Sequence, residues 1–518
     1  MARHFNTAGP CMAQLHYMLP PERRLPGLRA LIDVHQYVVV HAPRQSGKTT
    51  ILLNLAKELT AEGRYAALLA SCEEGQAVAD PDAAERAVVR NIVWNGEASL
   101  PEGLRPTISG TSPGGAIRET LSAWSASCPR PVVLFLDEID ALIDDALLRV
   151  LRQLRAGYAQ RPAAFPQSVT LIGLRDVRDY KIGIRPERES LGTSSPFNVK
   201  VRSFTLGNFT QGEVADLYAQ HTEETGQRFE PEAVARAYDL SRGQPWLVNA
   251  LAQEVTWTLV TDRTVPITVA HIDAAKDDLV RRRDTHLDSL SDKLREPRVR
   301  RVIEPIIAGL TLPPEVSADD VDYAMDLGLI IKNGKLEIAN PIYREVIPRT
   351  LHWVMEGFLP DTRPSWRAKD GGLDWEEMLR LFLAFWLEHG ESLLLAAPYH
   401  EAAPHLVFLA FLQRLVNSHG KVDREYAAGT GRMDILVRWP RPAGEQRFAA
   451  EIKVWRPGRP DPLTAGLEQL GEYLDRLGLD RGTLFVFDRR PDAQPLPERA
   501  GIVPAKDARG REVTVVRL

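Results

Sequence analysis

The sequence predicts an α/β protein of several domains: a parallel-sheet core, a helical region, a helix–hairpin–helix unit and a second α/β domain. Three observations predict it. Short apolar runs ("QYVVVHAP", "YAALLAS", "PVVLFLD", "SVTLIGL") alternate with helical patterns up to about Thr205, and continuous runs of that length suit parallel strands covered on both faces. A loop, "APRQSGKTT", joins the first of these strands to a helix. Near the C-terminus "RFAAEIKVWRP" places Glu451 and Lys453 two apart within an apolar run.

Size and composition set the frame. A chain of 518 residues has room for two to four domains. A hydrophobic content of 44% and a charged content of 26% are those of an ordinary globular protein. No apolar run approaches the ~20 residues that span a bilayer, and "MARHFNTAGP" lacks a signal peptide's layout. No membrane association is expected. Cys11, Cys72 and Cys128 are scattered and odd in number, which argues for a reducing cytoplasm and against a disulfide framework or zinc site. The net charge of −5 does not mark a nucleic-acid binder, although a basic groove can sit on an acidic protein.

The elements follow in order. Residues 1–204 form the core, and 205–284 read as a helical region. Within 285–360, "SADDVDYAMDLG" opens on a capping-box serine and stops at Gly328; "LIIKNGKLEI" is two strands around Asn-Gly; "NPIYREVIPRTL" returns to helix. That is the layout of a winged helix. Residues 361–373 contain "RPSWRAKDGG" and read as a linker, before a last domain at 374–518.

The first site is a phosphate cradle. Ala42–Thr49 fits G-x-x-x-x-G-K-[ST] with alanine at the first glycine. The stretch Pro43, Arg44, Gln45, Ser46, Gly47 would turn backbone N–H groups toward phosphate oxygens, with Lys48 on the β- and γ-phosphates and Thr49, followed by Thr50, at Mg²⁺. "PVVLFLDEID" ends a strand in Asp137 and Glu138. Asp137 is placed to hold Mg²⁺, and Glu138 to orient and deprotonate the attacking water. A strand ending in acids can be merely solvated; the phosphate loop upstream favours an ATP site, with GTP the lesser candidate.

On these motifs the chain resembles the AAA-like ATPases of the signal-transduction type, over about Leu15 to Thr350. "TLIGLRDVRDY" resembles that family's nucleotide-sensing strand, with Arg175 in the sensor position. "SRGQPWLVNALAQEV" resembles its lid motif, in which Gly243 and Pro245 begin a helix over the nucleotide. Arg185 and Arg188 are arginine-finger candidates by position only.

The second site starts from Glu451 and Lys453. Strand side chains alternate faces, so Ala449, Glu451, Lys453 and Trp455 share one face and Phe448, Ala450, Ile452 and Val454 the other. In "GRMDILVRW", Met433, Ile435 and Val437 form an apolar face and Asp434 lies opposite. Two paired strands would bring Asp434, Glu451 and Lys453 together. The set resembles the PD-(D/E)XK nucleases, over about Asp374 to Leu518, in which two carboxylates hold Mg²⁺ (or Mn²⁺) at a scissile phosphate beside a lysine that orients water. Glu401, at the start of an apolar helix, matches that family's further metal-site acid, and Gln469 with Tyr473 matches its glutamine–tyrosine helix.

Together the resemblances imply an ATP-controlled, metal-dependent endonuclease or exonuclease. Its substrate would be nucleic acid, DNA foremost, and its setting prokaryotic anti-invader defence or DNA processing. A homo-oligomer or an activating protein partner is compatible with this. The alternative is a regulatory ATPase switch whose C-terminal domain binds nucleic acid or a partner without cleavage.

Overall fold

The computed structural model describes residues 3–76, 78–109, 112–142, 144–176, 200–282, 290, 292–307, 312–347, 366–368, 370–396, 407–409, 411–412, 416, 420–428, 431–441, 444–490 and 492–518. The chain divides into two compact units. One comprises Met1–His286 with Asp322–Ile331 and Ala339–Ile342; the other comprises Leu287–Val321, Lys332–Ile338 and Tyr343–Leu518. The stretch read as a winged helix is thus divided between them. Locally it matches its sequence. The Ser317 hydroxyl accepts from the Asp320 N–H at 3.1 Å at the start of helix Ala318–Asp326.

Strands apolar at every position need cover on both faces, and the first sheet has it. β1 (Tyr37–His41), β2 (Ala66–Ser71), β3 (Val132–Asp137), β4 (Ser168–Gly173) and β5 (Lys200–Thr205) lie in the order β2-β3-β4-β1-β5. Every pairing is parallel. Val39, Leu134 and Leu136 pack with Val88, Trp124 and Leu147 from helices Pro81–Ser99, Ala116–Ser127 and Asp144–Gly157. Val38, Val40 and Phe135 pack on the other face with Leu52, Leu55 and Leu59 of helix Lys48–Ala61. The parallel arrangement brings the ends of β1, β3 and β4 out on one edge, where ligands of open α/β sheets bind.

Four helices follow in the same unit: Gln211–Thr225, Pro231–Ser241, Pro245–Glu254 and Val269–Arg282. The first opens with a capping box, Thr210 Oγ1 accepting from the Glu213 N–H at 3.2 Å and Glu213 Oε2 accepting from the Thr210 N–H at 2.8 Å. Further along, β6 (Ile330–Asn333) and β7 (Lys335–Ile338) flank Gly334 at φ +71°, as the Asn-Gly signal predicts.

The second unit carries a mixed sheet. β8 (Lys421–Ala428), β9 (Gly431–Arg441), β10 (Gly444–Trp455), β11 (Arg481–Asp488), β12 (Gly501–Lys506) and β13 (Glu512–Arg517) lie in the order β12-β13-β11-β10-β9-β8. β8, β9 and β10 pair antiparallel, β10, β11 and β13 parallel, and β12 antiparallel to β13. Ile435, Ala450, Ile452 and Phe485 face Phe382, Phe385 and Trp386 of helix Trp375–Ala396. Leu436, Ala449, Leu484 and Val515 face Leu470, Tyr473 and Leu474 of helix Leu463–Leu477. The aromatics of the first helix are core packing. The sequence reading had no place for β8, β12 and β13.

Candidate functional site

The phosphate loop leaves β1 at the Ala42 N–H, which donates to the Gly173 carbonyl at 3.2 Å. Gln45 (φ +56°) and Gly47 (φ +90°) both take the left-handed conformation that folds the loop back onto the helix. A Cβ on Gly47 would meet nothing within 4 Å, so the glycine serves conformation and not space. Lys48 Nζ donates to the carbonyls of Ala42 at 2.7 Å and Pro43 at 2.8 Å. Burial pulls this ammonium below its ordinary range, against the opposing pull of Asp137, Asp140 and Glu138.

Thr49 Oγ1 donates to Asp137 Oδ2 at 2.5 Å, and the Glu138 N–H donates to Asp137 Oδ1 at 2.9 Å. Asp137 is 4% exposed. Burial raises its carboxyl above the usual range, while Thr49, the Glu138 N–H and Lys48 act against the rise. Glu138 follows at φ +53°. Burial raises it too, reinforced by Glu73, Asp137 and Asp140 and eased by Arg44. Acids and a lysine grouped in this way suit a divalent cation and a polyphosphate. The Ser46 hydroxyl is also buried without a hydrogen-bond partner among the described residues.

The loop opens onto a cavity of about 520 Å³, within the range of small-molecule sites. Arg44 to Thr50 line it, with Asp137, Glu138 and Pro245. Pro245 begins its helix as the lid reading expects, and the Gln244 side chain caps the Leu247 N–H at 2.6 Å. Gly243 (φ +72°) approaches Phe209 so closely that a Cβ would lie 1.8 Å from that carbonyl oxygen. Arg175, the expected nucleotide sensor, is not among the residues that line the cavity. Its Nε donates to Asp326 Oδ2 at 2.6 Å, beneath the Tyr323 ring; the adjoining Leu174 lines the cavity.

Sequence reasoning missed the far wall. Asn6, Thr7, Gly9, Pro10, Cys11, Phe209, Trp246 and Asn249 line the cavity. The Cys11 N–H donates to Thr50 Oγ1 at 3.0 Å, and Trp246 Nε1 donates to the Thr7 carbonyl at 2.8 Å. The turn-forming run "NTAGP" marks a loop there, but no local signal says where the loop docks.

In the second unit, β9 and β10 pair with Ile435 opposite Ala450. Asp434 Oδ2 accepts from the Ile452 N–H at 2.8 Å. Lys453 Nζ donates to Glu451 Oε1 at 2.8 Å and to Gln469 Oε1 at 2.6 Å, and Gln469 Nε2 donates to the Tyr473 hydroxyl at 3.1 Å. Five expected residues therefore converge on one face of the sheet. Glu451 is 1% exposed, and its Oε2 has no hydrogen-bond partner among the described residues. Burial, reinforced by the Asp434 carboxylate and opposed by Lys453, raises its carboxyl to about 7. A buried, orphaned carboxylate oxygen beside a second carboxylate fits a cation ligand pair. Among the described residues no group of three His, Cys, Asp or Glu side chains forms a metal site. Glu401, the expected further acid, lies outside them, as do Arg185 and Arg188. Among the described residues no helix is long and apolar enough to cross a membrane.

Comparison with known proteins adds little beyond the fold. No protein-family profile matches the chain, and no curated protein does. Among solved structures it is similar to the Walker-type ATPase of Pyrococcus abyssi at 15% identity and a TM-score of 0.47, over 66% of this chain and 99% of that one. It is similar to the Thermotoga maritima RuvB Holliday junction branch migration motor (16% identity, TM-score 0.35, 63% and 93% covered). A third likeness is to the Aeropyrum pernix ORC2 protein (12% identity, TM-score 0.39, 65% and 97% covered). At these values the likeness does not extend to activity or partners, and the chemistry must come from the sites themselves.

Proposed function

We propose that the chain is an ATP-binding and ATP-hydrolysing switch that controls a metal-dependent nuclease, with DNA the foremost substrate and anti-invader defence or DNA processing the setting. The observation that carries the nuclease half is the convergence of Asp434, Glu451 and Lys453, with Glu451 Oε2 buried and unpartnered. Asp434 and Glu451, with Glu401, would hold Mg²⁺ or Mn²⁺. Bound there, the ion neutralises charge at a scissile phosphate and acidifies its water. Lys453, held between Glu451 and Gln469, presents a cation to the charge that develops on the phosphate. The ATPase half rests on Lys48 and on the Thr49–Asp137 pair, which would hold Mg²⁺ against the phosphates, where it offsets their negative charge. Glu138 accepts the proton of the attacking water.

Linear, plasmid and single-stranded DNA and RNA are incubated with the full chain and Mg²⁺ or Mn²⁺, with and without ATP. Lys453→Ala and Lys48→Ala run alongside. Cleavage lost in Lys453→Ala is the expected result, and its response to ATP and to Lys48→Ala gives the direction of control. Intact ATP hydrolysis with no cleavage on any substrate would move the reading to a switch whose C-terminal domain binds without cutting.

A further inference from the structure

Asn249 lies one turn inside the helix Pro245–Glu254, is 8% exposed and lines the cavity beside the phosphate loop. Its Nδ2 donates to the Pro245 carbonyl at 2.8 Å. That bond settles which end of the amide is which, because a carbonyl oxygen accepts only from the NH₂ group. The other end, Oδ1, is buried and has no hydrogen-bond partner among the described residues. An acceptor in that condition is costly unless something fills the cavity and donates to it.

The chemistry of the cavity narrows what that donor can be. The loop side offers donors: Lys48, the Ser46 hydroxyl and the backbone N–H groups of the turn. Phosphate oxygens at neutral pH accept hydrogen bonds, so they suit that side and cannot satisfy Oδ1. The lining also includes Trp246, Phe209, Leu217 and Met18, apolar surface suited to a ring. A nucleoside supplies the missing donors, as ribose hydroxyls or an exocyclic base amine.

We propose that Asn249 Oδ1 accepts a hydrogen bond from the nucleoside part of the bound nucleotide and so determines which nucleotide the cavity takes. This rests on the reading of the cavity as an ATP site. Truncation to alanine removes the acceptor. The Pro245–Glu254 helix keeps its Gln244 cap, since that bond is made by another side chain. Asn249→Asp retains an acceptor at the same place.

The test is nucleotide affinity by titration calorimetry on the full chain. The ligands are ATP, 2′-deoxy-ATP, 3′-deoxy-ATP and the purine riboside triphosphate that lacks the 6-amino group. The wild type is expected to bind one of the three analogues about tenfold more weakly than ATP, about 1.4 kcal/mol. Which analogue suffers identifies the donor as a sugar hydroxyl or the base amine. Asn249→Ala should lose the same factor for ATP and cease to distinguish ATP from that analogue, whereas Asn249→Asp should keep the distinction. Equal affinity of the wild type for all four nucleotides overturns the role of Asn249 while leaving the ATP site standing. Discrimination that persists in Asn249→Ala does the same. Binding of none of the four overturns both readings. Should Asn249→Ala fail to fold, Asn249→Leu, close in volume and without an acceptor, takes its place with the same expected outcomes.

Discussion

Lys453 Nζ sits 2.6 Å from Gln469 Oε1, a bond that joins strand β10 to the helix Leu463–Leu477 packed across it. The same ammonium donates to Glu451, and Gln469 is itself braced by the Tyr473 hydroxyl. The chain Tyr473–Gln469–Lys453 therefore fixes where the only cation in contact with buried Glu451 among the described residues can point.

Gln469→Ala should leave Lys453 in place but loose. The expected loss in cleavage rate is on the order of tenfold to a hundredfold, mostly in kcat, with ATP hydrolysis unchanged. Tyr473→Phe removes only the brace and should cost less. An equal loss from both would place Tyr473 in direct contact with substrate.

The pH dependence of the second unit should carry the mark of Glu451. Its folded value of about 7 lies above its ordinary value of 4.5. Between the two, the folded chain holds more protons than the unfolded chain. Stability from this group is therefore greatest below about 4.5 and declines as pH rises through about 7. Urea midpoints should show that decline, and Glu451→Gln should flatten it. Because a cation ligand must be ionised, protection by Mg²⁺ should grow over the same interval. A decline that survives Glu451→Gln would assign the titration to another group.

At the phosphate loop, Lys48→Ala removes the ammonium that bridges the carbonyls of Ala42 and Pro43, and nucleotide binding should be lost. Glu138→Gln keeps the side chain's shape but not its basicity. Binding of ATP should persist while turnover falls by about 10²–10⁴. Filter binding and phosphate release separate the two effects. Neither variant should alter the urea midpoint of the other unit.

Two loop glycines should respond to alanine very differently. At Gly47 a Cβ meets nothing within 4 Å, so only the left-handed backbone is penalised, by about 1–2 kcal/mol. At Gly243 a Cβ would also collide with the Phe209 carbonyl, at 1.8 Å. Backbone and clash together should cost on the order of 3 kcal/mol or more. Chemical denaturation of the pair checks the order; similar costs would mean that the Phe209 segment yields freely.

Arg175 and Asp326 should behave as a stability pair. Their side chains are 9% and 25% exposed. A double-mutant cycle should give a coupling of about 1–3 kcal/mol. Arg175→Lys should not rescue Arg175→Ala, because the bond is made by Nε. An unchanged urea midpoint with a tenfold loss of ATP affinity in Arg175→Ala would instead support the sensor role.

Local patterns by themselves determined much of this protein. Strand period placed Glu451 and Lys453 on one face and Ile452 on the other, because alternation is a property of the backbone. The run from Ala42 to Thr49 announced its loop through Gly47 and Lys48, and the helix spacing of Gln469 and Tyr473 put both on one side. Tertiary structure alone decided the remainder. The docking of Asn6–Cys11 on the cavity, the clash that reserves position 243 for glycine, and the engagement of Arg175 by Asp326 each join residues far apart in the chain. Such contacts depend on packing and burial, which no short window of sequence encodes. The same holds for the charge on Glu451: the residue type is legible in the chain, but its raised carboxyl exists only once β9, β10 and the helix Leu463–Leu477 have closed over it.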